Sequence, residues 1–126
     1  MSKMVDSTIK ILTLVSFLVL ISQGYSKCSL SNLSIYQYPT GHQLKLFPEY
    51  RVDIINNCPN CVQKNVKINC PNFETVEFVD PSIFNVSGDI CLVNGGKPIV
   101  TNLNVTFNYA WSNSFVLTPN SSEISC

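Results

Sequence analysis

The stretch Asp89–Trp111, DICLVNGGKPIVTNLNVTFNYAW, decides the fold that the sequence predicts. In its second half, large apolar residues alternate with polar ones. The apolar positions are Ile99, Leu103, Val105, Phe107, Tyr109 and Trp111, and the polar positions are Asn102, Asn104, Thr106 and Asn108. A period of two predicts one long β-strand with one face in the core and one face in solvent.

A turn precedes this strand. The short apolar run Cys91–Val93 is followed by Asn94, Gly95 and Gly96, residue types that accept the positive φ of tight turns. Pro98 cannot donate to a ladder, so the long strand is expected to begin beyond it. The whole stretch is therefore predicted to be a hairpin tethered by its cysteine.

Working outward, further strand signals recur about every ten residues. The strands are predicted around Leu33 and Ile35 (ending at Pro39, Thr40 and Gly41), around Tyr50, Val52 and Ile54, around Val66, Ile68 and Cys70, around Val76 and Phe78, and over Phe115–Leu117. Asp80–Phe84 is expected to form one helical turn. No helical period is sustained after residue 26. The sequence predicts a single antiparallel β-sandwich over residues 27–126, with a barrel-like closure as a variant.

The first 26 residues have the layout of a secretory signal peptide. Lys3 and Lys10 precede the apolar run Ile11–Ile21, and small residues follow it. As a helix the run rises only about 16 Å, roughly half of a bilayer core, which argues against a membrane anchor. We expect cleavage after Gly24 or after Ser26, leaving a secreted mature form with no membrane insertion.

The predicted mature chain is nearly neutral and contains every cysteine. It has six basic and seven acidic residues, which argues against nucleic acid or an anionic membrane as the main partner. An even number of cysteines in a small secreted domain predicts a disulfide framework. The cysteines are Cys28, Cys58, Cys61, Cys70, Cys91 and Cys126. Fifteen pairings are open, and Cys58 and Cys61 can pair with each other or with other strands.

Four Asn-x-Ser/Thr sequons follow the leader. They begin at Asn32, Asn85, Asn104 and Asn120. One such triplet is weak evidence because it arises by chance in a chain rich in asparagine and serine. Behind a signal peptide the four together predict a glycoprotein with at least two occupied sites.

Catalytic patterns are weak. His42 is the one histidine in the chain, and a solvated loop position explains it without a metal or a triad. Cys58-Pro-Asn-Cys61 superficially resembles a redox pair, but strands flank it. Gly95-Gly96-Lys97 lacks the spacing and the helix of a phosphate loop. The carboxylates, including Glu74, Glu77, Asp80 and Asp89, are expected to be ordinary surface groups, so neither enzymatic activity nor a cofactor is predicted.

Exposed aromatic residues would favour a different function. Tyr36, Tyr38, Phe47, Tyr50 and Trp111 could form a platform on which sugar rings stack, which would make the protein a cell-wall polysaccharide binder or an apoplastic inhibitor. Trp111 argues against this platform because it continues the core parity of Phe107 and Tyr109.

The pattern as a whole resembles the TAPETUM DETERMINANT-like family of small secreted plant proteins. The residues that carry the resemblance are Lys27-Cys28-Ser29, Ile35, Gln37, Thr40-Gly41, Glu49–Ile54, Asn57-Cys58, Cys61, Cys70, Phe73, Val79-Asp80-Pro81, Phe84, Asp89–Pro98, Phe107–Ala110, Phe115, Leu117 and Cys126. The resemblance implies an apoplastic protein ligand of a leucine-rich-repeat receptor kinase that acts in cell-fate decisions such as anther development. It implies neither catalysis nor a cofactor.

The turn Asn94–Lys97 is the candidate receptor contact. It joins two predicted strands, carries a cation at Lys97, and its two glycines allow close approach of the backbone. Asn104 is expected to project from the outer sheet face, where a glycan would leave the turn free. In the alternative interpretation, Gly95 and Gly96 serve only to make the turn.

Overall fold

A computed structural model describes residues 28–126 and confirms the all-β sandwich. Seven strands form two antiparallel sheets. The strands are β1 (Leu33–Leu44), β2 (Phe47–Asn56), β3 (Val62–Asn69), β4 (Phe84–Ser87), β5 (Ile90–Val93), β6 (Asn104–Ala110) and β7 (Thr118–Ser125). Two short 3₁₀ turns, Leu30–Asn32 and Asn94–Gly96, complete the regular structure. The predicted signal peptide lies outside the described residues.

The first sheet has the strand order β1-β2-β6. Its register places Val52 opposite Phe107 and Ile54 opposite Val105, so large apolar side chains from β2 and β6 share the inner face. This is the alternation that the sequence predicted. On the opposite face of the same strands lie Asp53 and Thr106, which are also register partners.

The second sheet has the strand order β4-β5-β3-β7. Val66 and Ile68 of β3 and Val93 of β5 turn inward and are fully buried. Within the described chain, none of the helical segments has the length and hydropathy of a membrane-crossing helix.

The core lies between the two sheets and is rich in aromatic rings. Phe84 from β4 stacks on Phe107 from β6 at 4.3 Å between ring centroids. Phe73, from the segment between β3 and β4, meets Phe84 edge-on at 5.3 Å and Tyr109 at 5.0 Å. Such offset and edge contacts add to area burial, so these rings fix how the sheets pack.

The predicted hairpin over Asp89–Trp111 is wrong. β5 belongs to the second sheet and β6 to the first, so the stretch passes from one layer to the other. Between them Ile99 exchanges backbone hydrogen bonds with Gln63, and the Asn102 amide donates to the Asn56 carbonyl at 2.8 Å. The crossing segment therefore satisfies its backbone against the ends of β2 and β3 rather than against β5. Leu103, expected in the core, is exposed as a result.

Two predicted strands do not form. Residues 75–79 make only isolated contacts with the end of β6, where the Val76 amide donates to the Ala110 carbonyl and the Ala110 amide donates to Thr75 Oγ1. Phe78 consequently points to solvent with 81% of its surface exposed. A hydrogen-bonded turn follows at Asp80, as expected, but Phe84 then starts β4, which the sequence did not predict.

Residues 115–117 are also irregular, and the last strand begins after them. The Phe115 amide donates to the Tyr109 hydroxyl, and Gln37 Nε2 donates to the Phe115 carbonyl at 2.7 Å. Side chains thus take the place of a strand partner. β7 contains Pro119 and β1 continues through Pro39, although both prolines were expected to end strands. Both β1 and β7 are edge strands, where proline is tolerated.

Candidate functional site

The Asn94–Lys97 turn leaves β5 in a left-handed conformation. Asn94, Gly95 and Gly96 have φ values of 58°, 63° and 78°. The Asn94 amide donates to the Ile83 carbonyl at 2.8 Å, and the Lys97 amide donates to the Asn94 carbonyl at 3.1 Å. The turn is therefore fixed on both sides by backbone hydrogen bonds.

Backbone conformation and packing together explain the glycines of this turn. A Cβ atom on Gly96 would lie 2.8 Å from Asn65 Oδ1, closer than real Cβ contacts come, whereas one on Gly95 would meet the Ser82 carbonyl at an ordinary 3.6 Å. Gly95 is still favoured by its positive φ. The fold itself therefore accounts for both glycines, and Lys97 beside them is exposed.

Asn104 lies beside the turn rather than away from it. Asn94 and Asn104 line one shallow groove of about 330 Å³ together with Ile83, Leu103, Val105 and Thr106. Asn104 is exposed, as the alternation of β6 predicted. Asn104 begins β6 and shares this groove with Asn94, so a glycan there would lie next to the turn.

The other sequons differ in accessibility. Asn85 in β4 and Asn120 in β7 are exposed, and Asn120 Nδ2 donates to Asn69 Oδ1 at 2.9 Å. Asn32 is half-buried, and its Oδ1 accepts a hydrogen bond from the Ser29 amide at 2.8 Å. Occupancy of all four sites stays a prediction.

All six cysteines are paired. The disulfides are Cys28–Cys58, Cys61–Cys126 and Cys70–Cys91. Cys58 and Cys61 therefore do not form a local pair; each reaches a distant part of the chain. The sulfur atoms of Cys28, Cys61 and Cys126 lie within 4.8 Å of one another, but oxidised sulfur is not the thiolate that binds metal.

A buried polar network beside these disulfides was not predicted. Asn56 Nδ2 donates to the Cys61 and Ile99 carbonyls at 3.0 and 2.9 Å, and Asn56 Oδ1 accepts from the Cys58 amide and from Gln63 Nε2. One side chain thus holds the end of β2, the start of β3 and the crossing segment. A polar residue at a strand end gave no sequence signal for this role.

The five aromatic residues of the hypothetical sugar platform differ in exposure. Tyr36 and Tyr38 are exposed on β1, whereas Phe47 and Trp111 stack on each other at 5.3 Å. Tyr50 is half-buried and packs 5.4 Å from the core residue Tyr109. Of the five, Tyr36 and Tyr38 are the two that are exposed, and the other three are half-buried.

Asp53 lies beneath Tyr36 and Tyr38 and is almost fully buried. Burial alone would raise its pKa, but hydrogen bonds from Thr106, Arg51 and Tyr38 outweigh burial and hold the pKa of Asp53 below its usual value. Asp53 is therefore a structural anion that ties the outer faces of β1, β2 and β6 together.

A second acidic residue, Glu77, has an unusual environment. Its Oε1 is shielded from solvent and finds no hydrogen-bond donor among the described residues. Burial, together with a hydrogen bond to the carboxyl group of Glu49, raises the pKa of Glu77 to about 7. Hydrogen bonds from Thr40 and Glu77 lower the pKa of Glu49. The pair joins the 75–79 segment to β2, and the sequence indicated no pairing between these distant residues.

The described domain matches a known family over its full length. The family model described as "Tapetum determinant 1, C-terminal" matches residues 29–126. The chain belongs to this family. Among curated relatives, the "TPD1 protein homolog 1B" of Oryza sativa subsp. japonica is 38% identical over 100 residues, covering 79% of this chain and 58% of the relative. The "TPD1 protein homolog 1" of Arabidopsis thaliana is 32% identical over 101 residues, covering 79% of this chain and 55% of the relative.

The chain spans little more than half the length of these Tapetum determinant relatives. The match therefore covers the disulfide-bonded sandwich, from the residue after Cys28 to the end of β7 and Cys126. No solved structure matches the chain.

Proposed function

We propose that this Tapetum determinant family member is a secreted, non-enzymatic protein ligand of a leucine-rich-repeat receptor kinase. It would act in the plant apoplast in cell-fate specification, such as that of anther development. The observation that carries the proposal is the family match over residues 29–126. Three disulfides in a small domain also suit an oxidising compartment.

We place one receptor contact at Lys97. Lys97 is exposed and belongs to a turn that backbone hydrogen bonds hold, so little backbone freedom is lost on binding. The neighbouring sequon at Asn104 sets a limit, because a glycan there would fill the adjoining groove. Contact would then come from the Lys97 side of the turn and not from the groove.

The test is binding of the glycosylated protein, secreted from plant cells, to a panel of purified leucine-rich-repeat receptor-kinase ectodomains. At least one ectodomain should bind the wild type, and Lys97→Glu should weaken that binding at least threefold, mainly through slower association. Lys64→Glu is the matched control because Lys64 is exposed on β3 of the second sheet. Asn104→Gln should not weaken binding.

Each result has a separate meaning. A folded protein that binds no ectodomain would contradict the receptor-ligand function. Equal binding by wild type and Lys97→Glu would leave the function standing and remove this contact. Loss of binding in folded Asn104→Gln would show that the glycan or the groove is itself the interface.

The alternative function, binding of a cell-wall polysaccharide, depends on Tyr36 and Tyr38. These exposed rings are two residues apart on β1 and therefore lie on one face. Retention of the wild type on insoluble wall polymers, lost in a Tyr36→Ala/Tyr38→Ala variant, would favour this function. Absence of retention would eliminate it.

A further inference from the structure

The β1–β2 hairpin ends in a turn whose residues do not suit its backbone. Leu44 pairs with Phe47, so Lys45 and Leu46 alone make the turn. Their φ values are 50° and 71°. A two-residue hairpin turn with two positive φ values normally uses Asn-Gly or another glycine-containing pair, because a Cβ atom disfavours this conformation. A branched, apolar leucine is an unfavourable choice there.

Nothing in the described fold compensates for Leu46. Its side chain is 88% exposed, the largest exposed fraction among the big hydrophobic residues of the described chain. It does not join the core cluster, and Leu44 beside it is also exposed. An apolar side chain held in solvent on an unfavourable backbone is the kind of outlier from which a functional contact is inferred.

The part of the hairpin next to its tip is firmly held. Phe47 stacks on Trp111 in nearly parallel planes, 7° apart, which fixes the start of β2 against the end of β6. On β1, Thr40 Oγ1 donates to Glu49 Oε1 at 2.7 Å and accepts from the His42 amide at 3.2 Å. The tip therefore projects in a defined direction.

The charge of the tip indicates the chemistry of the partner that it would bind. Between Thr40 and Pro48, the ionisable side chains are Lys45 and His42, and the nearest carboxylate along β2, Glu49, is engaged by Thr40. An apolar side chain next to an exposed cation complements an apolar pocket with a carboxylate rim. An anionic membrane fits less well, since it is held by clusters of cations and the tip has one lysine.

We propose that the hairpin tip, Leu44–Leu46, inserts into an apolar, acid-rimmed pocket of the receptor-kinase ectodomain. This inference rests on the proposed function and adds a second contact to it. The two contacts are far apart: Phe47 and Ile55 stand at opposite ends of β2, about 27 Å apart in an extended strand, and Ile55 pairs with Asn104 beside the Asn94–Lys97 turn.

The decisive variants are Leu46→Gly and Leu46→Asp, measured against whichever ectodomain binds the wild type. Glycine suits the positive φ, so Leu46→Gly should fold at least as well as the wild type and still bind at least tenfold more weakly. Leu46→Asp should bind more weakly again, because it places an anion against the acidic rim. Val116→Asp is the control, since Val116 is 72% exposed on another segment and should not change binding.

The outcomes separate the two proposals. Equal affinity of wild type and folded Leu46→Gly for a binding ectodomain would overturn the tip contact and leave the receptor-ligand function intact. Absence of any binding ectodomain would overturn both. Binding of the wild type, but not Leu46→Asp, to phosphatidylserine–phosphatidylcholine vesicles would assign the tip to a membrane. A dimer of the wild type that Leu46→Asp abolishes would assign it to a second copy.

Discussion

The turn Asn94–Lys97 and the hairpin turn Lys45–Leu46 both use left-handed backbone, and they differ in what surrounds it. At the first turn, asparagine and glycine occupy the positive-φ positions, Gly96 lies close to the Asn65 side chain, and the neighbouring amides are hydrogen-bonded, so the residue types suit the backbone of the turn. At the second, a leucine takes the positive φ in open solvent. The glycine-rich turn looked like the functional one in the sequence, yet its glycines have a structural explanation and Leu46 has none.

The comparison shows which kind of unusual residue points to a function. A glycine is informative about function only after its Cβ has been tested against the surrounding fold. A bulky residue in a conformation that favours glycine points to a function without such a test, because the fold would be at least as stable with glycine in its place. Substitutions in and around the two turns test whether they differ in this way.

The largest expected effect is the loss of stability when the disulfide that supports the glycine-rich turn is removed. Cys70–Cys91 closes a separation of 21 residues and holds β5, which leads into the turn. Replacing both cysteines with alanine should lower the free energy of unfolding by about 3 kcal/mol. Hydrogen exchange should show lost protection around β5 and the Asn94–Lys97 turn, with the hairpin tip unchanged. Equal loss at the tip would mean that the two ends are not independent.

Gly96→Ala should destabilise the protein by about 1–2 kcal/mol, because the backbone keeps a positive φ and the exposed Asn65 side chain, whose Oδ1 lies 2.8 Å from the position of the new methyl group, must move aside. Gly95→Ala is the matched control; it shares the positive φ without the clash and should cost about 1 kcal/mol. Chemical denaturation measures both. If the two variants unfold alike, the packing explanation of Gly96 is wrong.

Leu46→Gly should leave the free energy of unfolding unchanged or raise it by up to about 1 kcal/mol, because relief of the left-handed leucine offsets the added freedom of the unfolded chain. Leu46→Asn should behave similarly, since asparagine tolerates this conformation. Thermal unfolding is the measurement. A loss of more than about 1 kcal/mol in both variants would show that the Leu46 side chain stabilises the fold and would weaken the contrast between the turns.

The smallest expected effect is a pH dependence near the base of the hairpin. The pKa of Glu77 is about 7 in the folded protein, above its ordinary value of 4.5, so the folded state holds an extra proton between these two values. Its contribution to stability is full below pH 4.5 and is lost as the pH rises towards 7. Glu77→Gln keeps a neutral, hydrogen-bonding side chain and should remove this fall.

Melting temperatures of wild type and Glu77→Gln at pH 5 and pH 8 measure the effect. The variant should lose less stability than the wild type between the two pH values. Parallel behaviour would show that Glu77 titrates normally. Glu74→Gln, a change on the same segment at a residue outside the pair, controls for charge alone.

The sequence predicted the layers of this fold better than the path between them. Alternation correctly assigned Val52, Ile54, Val105 and Phe107 to the core, because a half-buried strand imposes that period on its own residues. It could not reveal that the strands around Asn94 belong to different sheets, since a turn has the same local chemistry whether the chain returns to its neighbour or crosses the core.

Candidate contacts were predicted only where they are local. Lys97 and the sequons follow from short motifs. The Glu49–Glu77 pair, the Asn56 network and the proximity of Asn104 to Asn94 join residues that are distant in sequence, and they arise from packing alone. Leu46 was missed because it lies between two predicted strands in a stretch with no motif, and its positive φ is visible only in three dimensions.

The long edge strand β1 also bears on how the protein behaves at high concentration. Twelve residues of open strand are a template for pairing with another chain, the step that begins aggregation. Pro39 carries no amide hydrogen, and the register breaks between Pro39 and Gln43, where Gly41 has a φ of 89°. These irregularities divide the edge into two short pieces. The register break lies beside the Thr40 contacts that orient the hairpin tip, and it also disfavours edge-to-edge polymerisation.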